Sequence, residues 1–297
     1  MSEEAPKFRP PIVDPKAIEE VADGVWVIPD SDYIPMLPNI GIVVGSWATL
    51  VIDTGFGPDN ARIVLEHAHR LSDGRPIFLT HTHCHPEHGF GANVIAADVT
   101  IVYNEAQWTE LQEKGSTILR MFRHQMPALA PMLDGVEFVR PDIRYTGLLS
   151  LDLGGPVIEL REFGGGHSRG DQGILVRSSK SVLFVGDLIE ERHFGVMADN
   201  ESHVGPWIDR LNELTRLGAD IVVPGHGHRD GLELIANYRG HFELAKRRVE
   251  NLRRAQELSE AEIIDRVSEE LLDHYADWAG HDWARKMVSD LTWPSRA

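Results

Sequence analysis

One cysteine, Cys84, stands in 297 residues, so no intrachain disulfide can form. No apolar run approaches the roughly 20 residues needed to cross a bilayer. Positive charge is scarce as well: 29 Lys and Arg stand against 46 Asp and Glu, a formal net charge of −17. Such a surface disfavours nonspecific binding to phosphate backbones and to anionic membranes, so neither a nucleic-acid nor a membrane partner is expected. The opening residues, MSEEAPKFRPPIVDPKAIEE, have no basic stretch leading into an apolar one. No secretory signal is expected there, and the expected location is cytoplasmic. No fixed-period repeat and no low-complexity tract interrupts the chain.

What is present is a 42% hydrophobic, 25% charged composition, with length for one large domain or two small ones. Residues 1–20 are rich in Pro and charge and predict an arm. The segments 24–29, 39–45 and 48–55 are rich in Val, Ile and Thr and are punctuated by Gly and Pro, which predicts strands. Residues 59–71 show helical spacing behind Asp59, and PIFLT (76–80) and VTIVY (99–103) predict two more strands. Residues 104–134 predict a helical insertion carrying Met121, Phe122, Met126, Leu129, Met132 and Leu133. Strands return between 136 and 186, as VEFV, LSLDL, VIELREF, QGILVRS and SVLFVGD. A helix over 205–217, a strand over 219–227 and a helical tail from about 232 complete the pattern. Ser259 and Glu262 have capping-box spacing. Strands interleaved with helices in this way fit an α/β sandwich of two sheets with helices outside.

The sharpest local feature is THTHCHPEHGFG, residues 80–91, with four of the 15 histidines. Neutral imidazole and carboxylate are ligands for divalent metals. If the strand before them continues, His83 and His85 project to one side. A helix starting just after them would turn Glu87 and His88 toward a second point nearby. Cys84 would then point away and pack. Other candidates stand far off in sequence but at comparable places. Asp53 ends VID, His167 follows three glycines, Asp187 ends an apolar strand and His226 lies in VPGHG. A buried acid or histidine at a strand end needs a partner, and a metal is an efficient one.

Thr82-His83-Cys84-His85-Pro86-Glu87-His88 resembles the H-x-H-x-D-H signature of the metallo-β-lactamase-fold superfamily, and Asp53, His167, Asp187 and His226 follow in that family's order. The resemblance covers about residues 22–235. Only the register starting at His83 works, because starting at His81 puts Pro86 at the last ligand position. The resemblance implies a four-layer αββα sandwich at 21–235, with 104–134 inserted and 236–297 as a C-terminal helical extension. It implies His83, His85 and His167 on one metal, Glu87, His88 and His226 on another, and Asp187 bridging. Asp53 would orient the ligands, and a water or hydroxide would sit between the ions. The cofactor implied is a pair of divalent ions, zinc first, with iron or manganese as alternatives. The departure is Glu87, where the family usually has Asp. Its extra methylene puts the second ion's position, affinity and identity in question, and with one ion only Glu87 would orient or deprotonate the attacking water.

The implied activity is hydrolysis of an ester, lactone, thioester or amide carbonyl in a small-molecule substrate, with Asp53, Glu87 and Asp187 joining in catalysis. Asp187 resembles the glyoxalase II-like and lactonase-like branches more than the antibiotic-destroying enzymes, which usually carry Cys or Ser there and are exported. Against glyoxalase II itself stand Glu87 and the long insertion. Rival readings are a mononuclear-iron thiol dioxygenase of the same fold, β-lactamase activity, and a metal-bound protein without turnover. A nuclease is disfavoured by the acidic charge. The 104–134 insertion either docks on the core or walls a pocket for an apolar substrate. The helix bearing Lys246, Arg247, Arg248, Arg253 and Arg254 is either a solvated face or an anion site. His193 and His203, after Asp187, are loop residues or substrate contacts. Oligomeric state is open, a homodimer included.

Overall fold

The computed structural model describes residues 9–30, 32–198 and 200–292. Its first sheet takes the strands β1 (Glu19–Ala22), β2 (Val25–Ile28), β3 (Ile40–Val44), β4 (Thr49–Ile52), β5 (Ile77–Thr80), β6 (Thr100–Asn104) and β7 (Ile143–Tyr145) in sequence order. The second takes β8 (Leu148–Asp152), β9 (Val157–Glu162), β10 (Gln172–Arg177), β11 (Ser181–Glu190) and β12 (Ile221–His226), again in order. Pairing is antiparallel from β1 to β4, parallel from β4 to β7, antiparallel from β8 to β11 and parallel between β11 and β12.

The layers follow from alternation along the strands. Leu50 and Ile52 of β4 face the second sheet, where they meet Ile174, Val176 and Phe184, while Val51 faces outward. On β11, Val182 and Phe184 join that inter-sheet core, and Leu183 and Val185 face the other way. Helix α1 (Pro58–Ser72) covers the outer face of the first sheet with Ala61, Val64 and Ala68. The outer face of the second sheet carries α4 (Val204–Leu217), α5 (Leu232–Ala255), α6 (Glu260–His274) and α7 (His281–Thr292), packed through Trp207, Leu211, Phe242, Val267 and Met287. The result is the expected αββα sandwich. Ser259 caps α6 in a reciprocal box with Glu262. The division expected between 235 and 236 falls inside α5, so no connecting segment lies there.

Two expectations change. The arm over 1–20 is partly built into the fold, its residues 1–8 lying outside the described ones. Val13 is buried, its N–H donates to Asn60 Oδ1 at 2.9 Å, and β1 pairs with β2 from Glu19. VEFV (136–139) is not a strand. Its Phe138 packs on Phe90 with ring centroids 5.0 Å apart, and the strand lies further on, at Ile143–Tyr145. The 104–134 insertion is one long helix, α3 (Glu105–Gln125), ended by Pro127, then a single 3-10 turn at Ala130–Leu133. Among the described residues, no helix is long and apolar enough to cross a membrane.

Candidate metal centre

The expected continuation of β5 through the histidines does not occur. The strand ends at Thr80, residues 81–85 form a loop, and the four-residue helix α2 (Pro86–Gly89) follows. What folds the loop is Asp53, one residue past β4, whose end pairs in register with that of β5 (Ile52 with Thr80). The Asp53 carboxylate accepts from Thr82 N–H at 2.7 Å, from Thr82 Oγ1 at 2.9 Å and from His88 Nδ1 at 2.9 Å. Asp53 itself sits at φ 68°, a left-handed conformation that costs a non-glycine residue roughly 1–3 kcal/mol. The three bonds offset that strain, and they fix His88 with Nε2 inward.

Two groups of side chains result. His83, His85, His167 and Asp187 each offer a ligand atom within 4.8 Å of one another, and so do Glu87, His88, Asp187 and His226. Asp187 is common to both. Its Oδ2 lies 3.7 Å from Nε2 of His83 and 3.7 Å from Nε2 of His167. Its Oδ1 lies 3.3 Å from Nε2 of His88 and 3.6 Å from Nε2 of His226. Backbone carbonyls set the tautomers, since a carbonyl only accepts. His167 Nδ1 donates to Val196 O at 3.0 Å and His226 Nδ1 to Leu37 O at 2.9 Å, leaving both Nε2 lone pairs facing inward. His85 turns Nδ1 toward His167 Nε2 at 2.8 Å.

The donor set fits metal ions by a test that owes nothing to resemblance. His83 Nε2, His88 Nε2, Glu87 Oε2 and Asp187 Oδ1 are all buried without a hydrogen-bond partner. Such orphans, divided between two groups that share Asp187, cost far more than a fold tolerates unless something cationic satisfies them. Burial opposes a charge on His88, but Asp187 and Asp53 outweigh it and hold its pKa well above the ordinary value, so an ion there displaces a proton. Burial, aided by the charge of His88, pushes His83 well below its ordinary pKa, and burial pushes His167 down to about 4, so both offer free lone pairs. Burial pushes Glu87 up. For Asp187, burial alone would raise the pKa, but His88, His226 and His83 outweigh it and hold the carboxyl well below the usual range.

Close approach of the strands needs glycine at two places. A Cβ on Gly225 would lie 1.9 Å from Asp187 Oδ1, and one on Gly186, at φ 53°, would lie 2.5 Å from Thr82 Cβ. His85 and His226 are the half-buried members of the set, so the centre opens to solvent on their side. Beside it, Tyr33 places its hydroxyl 2.6 Å from His228 Nδ1 and against Glu191. Glu191 also begins a cavity of about 520 Å³ lined by Arg192, Tyr238, Tyr275 and Trp278.

The remaining sequence candidates separate. His81 is buried against Tyr103 and belongs to neither group. Cys84 packs in the apolar core of the first sheet. His203 pairs with Asp290 of α7 at 2.7 Å, and His193 donates to Phe194 O at 2.7 Å. On α5, Arg247 faces Glu243 at 3.8 Å, while α6 supplies Glu270 to Arg248 at 2.6 Å and Glu260 to Arg253 at 2.9 Å. Sequence reasoning missed Glu190. It is buried, and burial, then Asp187 and Glu87, push its pKa well up. The only signal was an acid three residues past Asp187 on an apolar strand.

Residues 33–226 match the family described as the Metallo-beta-lactamase superfamily. Among solved structures, a metallo-beta-lactamase from Pontibacter korlensis is 19% identical with a TM-score of 0.60, covering 76% of this chain and 98% of that one. The DIM-1 metallo-beta-lactamase is 20% identical with a TM-score of 0.59, covering 77% and 97%. The stereoselective inverting sec-alkylsulfatase Pisa1 from Pseudomonas sp. is 16% identical with a TM-score of 0.64, covering 93% of this chain and 49% of that one.

Proposed function

The chain belongs to the metallo-beta-lactamase superfamily, and on that footing we propose that it is a hydrolase dependent on two divalent ions, zinc first among them. Its bond of choice is an ester, lactone, thioester or amide carbonyl in a small-molecule substrate. The observation that carries this reading is the gathering of three buried, unpartnered atoms, His83 Nε2, His88 Nε2 and Glu87 Oε2, about the Asp187 carboxylate common to two ligand groups. When bound, the ions would supply a water of lowered pKa and positive charge for a developing oxyanion.

The chain's own residues do the rest. His83, His85 and His167 present lone pairs to one position, and Glu87, His88 and His226 present theirs to the other. Asp187 lies between and balances charge on both sides. Asp53 locks the orientation of His88 from behind. No serine or cysteine nucleophile is required. The completeness of the second group supports two ions over a single iron, because Glu87, His88, Asp187 and His226 offer a full ligand set beside the first.

The test is metal analysis of protein purified without added metal, followed by hydrolysis assays on an ester, lactone, thioester and β-lactam panel. An alkyl sulfate belongs in the panel because a sec-alkylsulfatase shares the fold. His83→Ala is the control. Activity that survives His83→Ala, or predominant iron with oxygen consumption, overturns the reading.

A further inference from the structure

The first turns of α3 reach both loops that carry the first ligand group. Asn104 caps the helix through Gln107 N–H at 2.7 Å, and its side-chain amide donates to Gly170 O at 2.8 Å. Gln107 Nε2 donates to His81 O at 3.2 Å, at the start of the loop bearing His83 and His85. Three residues on, and so on the same helix face, Glu110 Oε2 accepts from Gly170 N–H at 3.0 Å. Its Oε1 lies 3.1 Å from Lys114 Nζ. Gln107 and Glu110 are both buried, and a Cβ on Gly170 would lie 2.4 Å from Gln107 Cα. The helix face and the loop therefore fit without slack.

From Gly170 the restraint runs to a ligand in two steps. The neighbouring Asp171 accepts from His167 N–H at 2.8 Å and from Ser168 N–H at 2.9 Å. Gln172 closes the circuit by donating to Thr80 Oγ1 at 2.7 Å and to His81 O. At the surface Arg169 reaches Glu113 of α3 at 2.8 Å. These bonds meet the loops of His83, His85 and His167. The second group has further supports that α3 does not touch: Asp53, which also clamps Thr82, behind His88, and Leu37 O behind His226.

We propose that Gln107 and Glu110 are positioning residues for the first ligand group, setting the separation between the His83–His85 loop and the His167 loop. The helical insertion is then a strut for one half of the centre. This rests on the metal-centre reading above, and it predicts a selective effect that a general loss of packing would not produce.

The test titrates metal-free wild type, Glu110→Ala, Gln107→Ala and Glu110→Gln with zinc against a chelator, and with cobalt followed by its visible absorption. His167→Ala and His226→Ala provide the spectra of protein lacking one group or the other. Wild type is expected to take two equivalents. Glu110→Ala and Gln107→Ala are expected to keep one and to bind the other roughly 10–100-fold more weakly, with a cobalt spectrum like that of His167→Ala. Glu110→Gln keeps an acceptor for Gly170 N–H and should retain both equivalents. If Glu110→Ala does not fold, Gln107→Ala carries the comparison. Wild-type affinity for both equivalents in the alanine variants overturns the proposal, and so does equal loss of both. A wild type that binds no metal overturns the metal-centre reading itself.

Discussion

Nδ1 of His88 lies 2.9 Å from Oδ2 of Asp53, with both side chains buried, and the same carboxylate holds the Thr82 backbone. One anion thus orients a ligand and shapes the loop that carries the others. Asp53→Asn removes the charge and sets an amide N–H₂ against one of three donors. A buried donor left unpaired costs on the order of 1–3 kcal/mol. Loss of a carboxylate behind a ligand histidine costs roughly 10–100-fold in metal affinity. Chelator competition should show that weakening at the His88 equivalent. Unchanged affinity for both equivalents would remove Asp53 from the proposed machinery.

Glu87 gives a prediction that changes sign with metal. Its Oε2 is buried without a partner, and burial first, with Asp187 adding to it, opposes its ionisation. Without an ion it is a liability, whereas with one it is a ligand. Glu87→Gln should therefore raise the melting temperature of the metal-free protein and lower that of the zinc-loaded protein. Glu87→Asp should bind the second equivalent more weakly, since its carboxylate is one methylene shorter. Thermal melts with and without chelator check the first, and elemental analysis checks the second. If Glu87→Gln shifts both melts in the same direction, Glu87 is a structural acid.

The sequence pattern shows the order of layers because inner strands such as β3, β4, β10 and β11 are buried on both faces and read as apolar runs. It fails at β1 and β7, the two edges of the seven-stranded sheet. EEVA and IRY are short and charged, and what makes them strands is pairing with a neighbour. The site shows the same division. His83, His85, Glu87 and His88 stand out because imidazoles crowd there, yet strand parity is not what gathers them; the Asp53–Thr82 clamp is. Gln107 and Glu110 look like ordinary polar helix residues. Only the approach of Gly170 to their face gives them a role, and a contact 60 residues away has no local signature.

Gly225 tests how tightly β11 and β12 close on the centre. An added Cβ would sit 1.9 Å from Asp187 Oδ1 and 2.8 Å from the Gly186 carbonyl carbon. Neither the backbone nor a ligand carboxylate has room to give. Gly225→Ala should lose about 1–3 kcal/mol of stability through overpacking. It should also bind both metal equivalents more weakly, because Asp187 belongs to both groups. Denaturant melts and zinc competition measure the two effects. A variant that is destabilised but binds zinc normally would show that Asp187 can move without consequence.

The acid stability of the second half of the molecule should depend on His241. Its ring is buried among Phe194, Tyr238, Phe242 and Trp278, and Nδ1 donates to the Tyr238 carbonyl. Burial drives its pKa down to about 3 from an ordinary 6.5. A group whose pKa falls on folding contributes stability that is present above its unfolded pKa and is lost as pH falls. For His241 the loss begins near pH 6.5 and ends near pH 3, at up to about 1.4 kcal/mol per pH unit. His241→Leu keeps an apolar side chain there and cannot take up the proton. At pH 8 its unfolding free energy should be close to that of the wild type. Between pH 6 and 4 the variant should become progressively the more stable of the two. Parallel pH profiles for the two proteins would mean that His241 is protonated equally in the folded and unfolded states, in conflict with its burial.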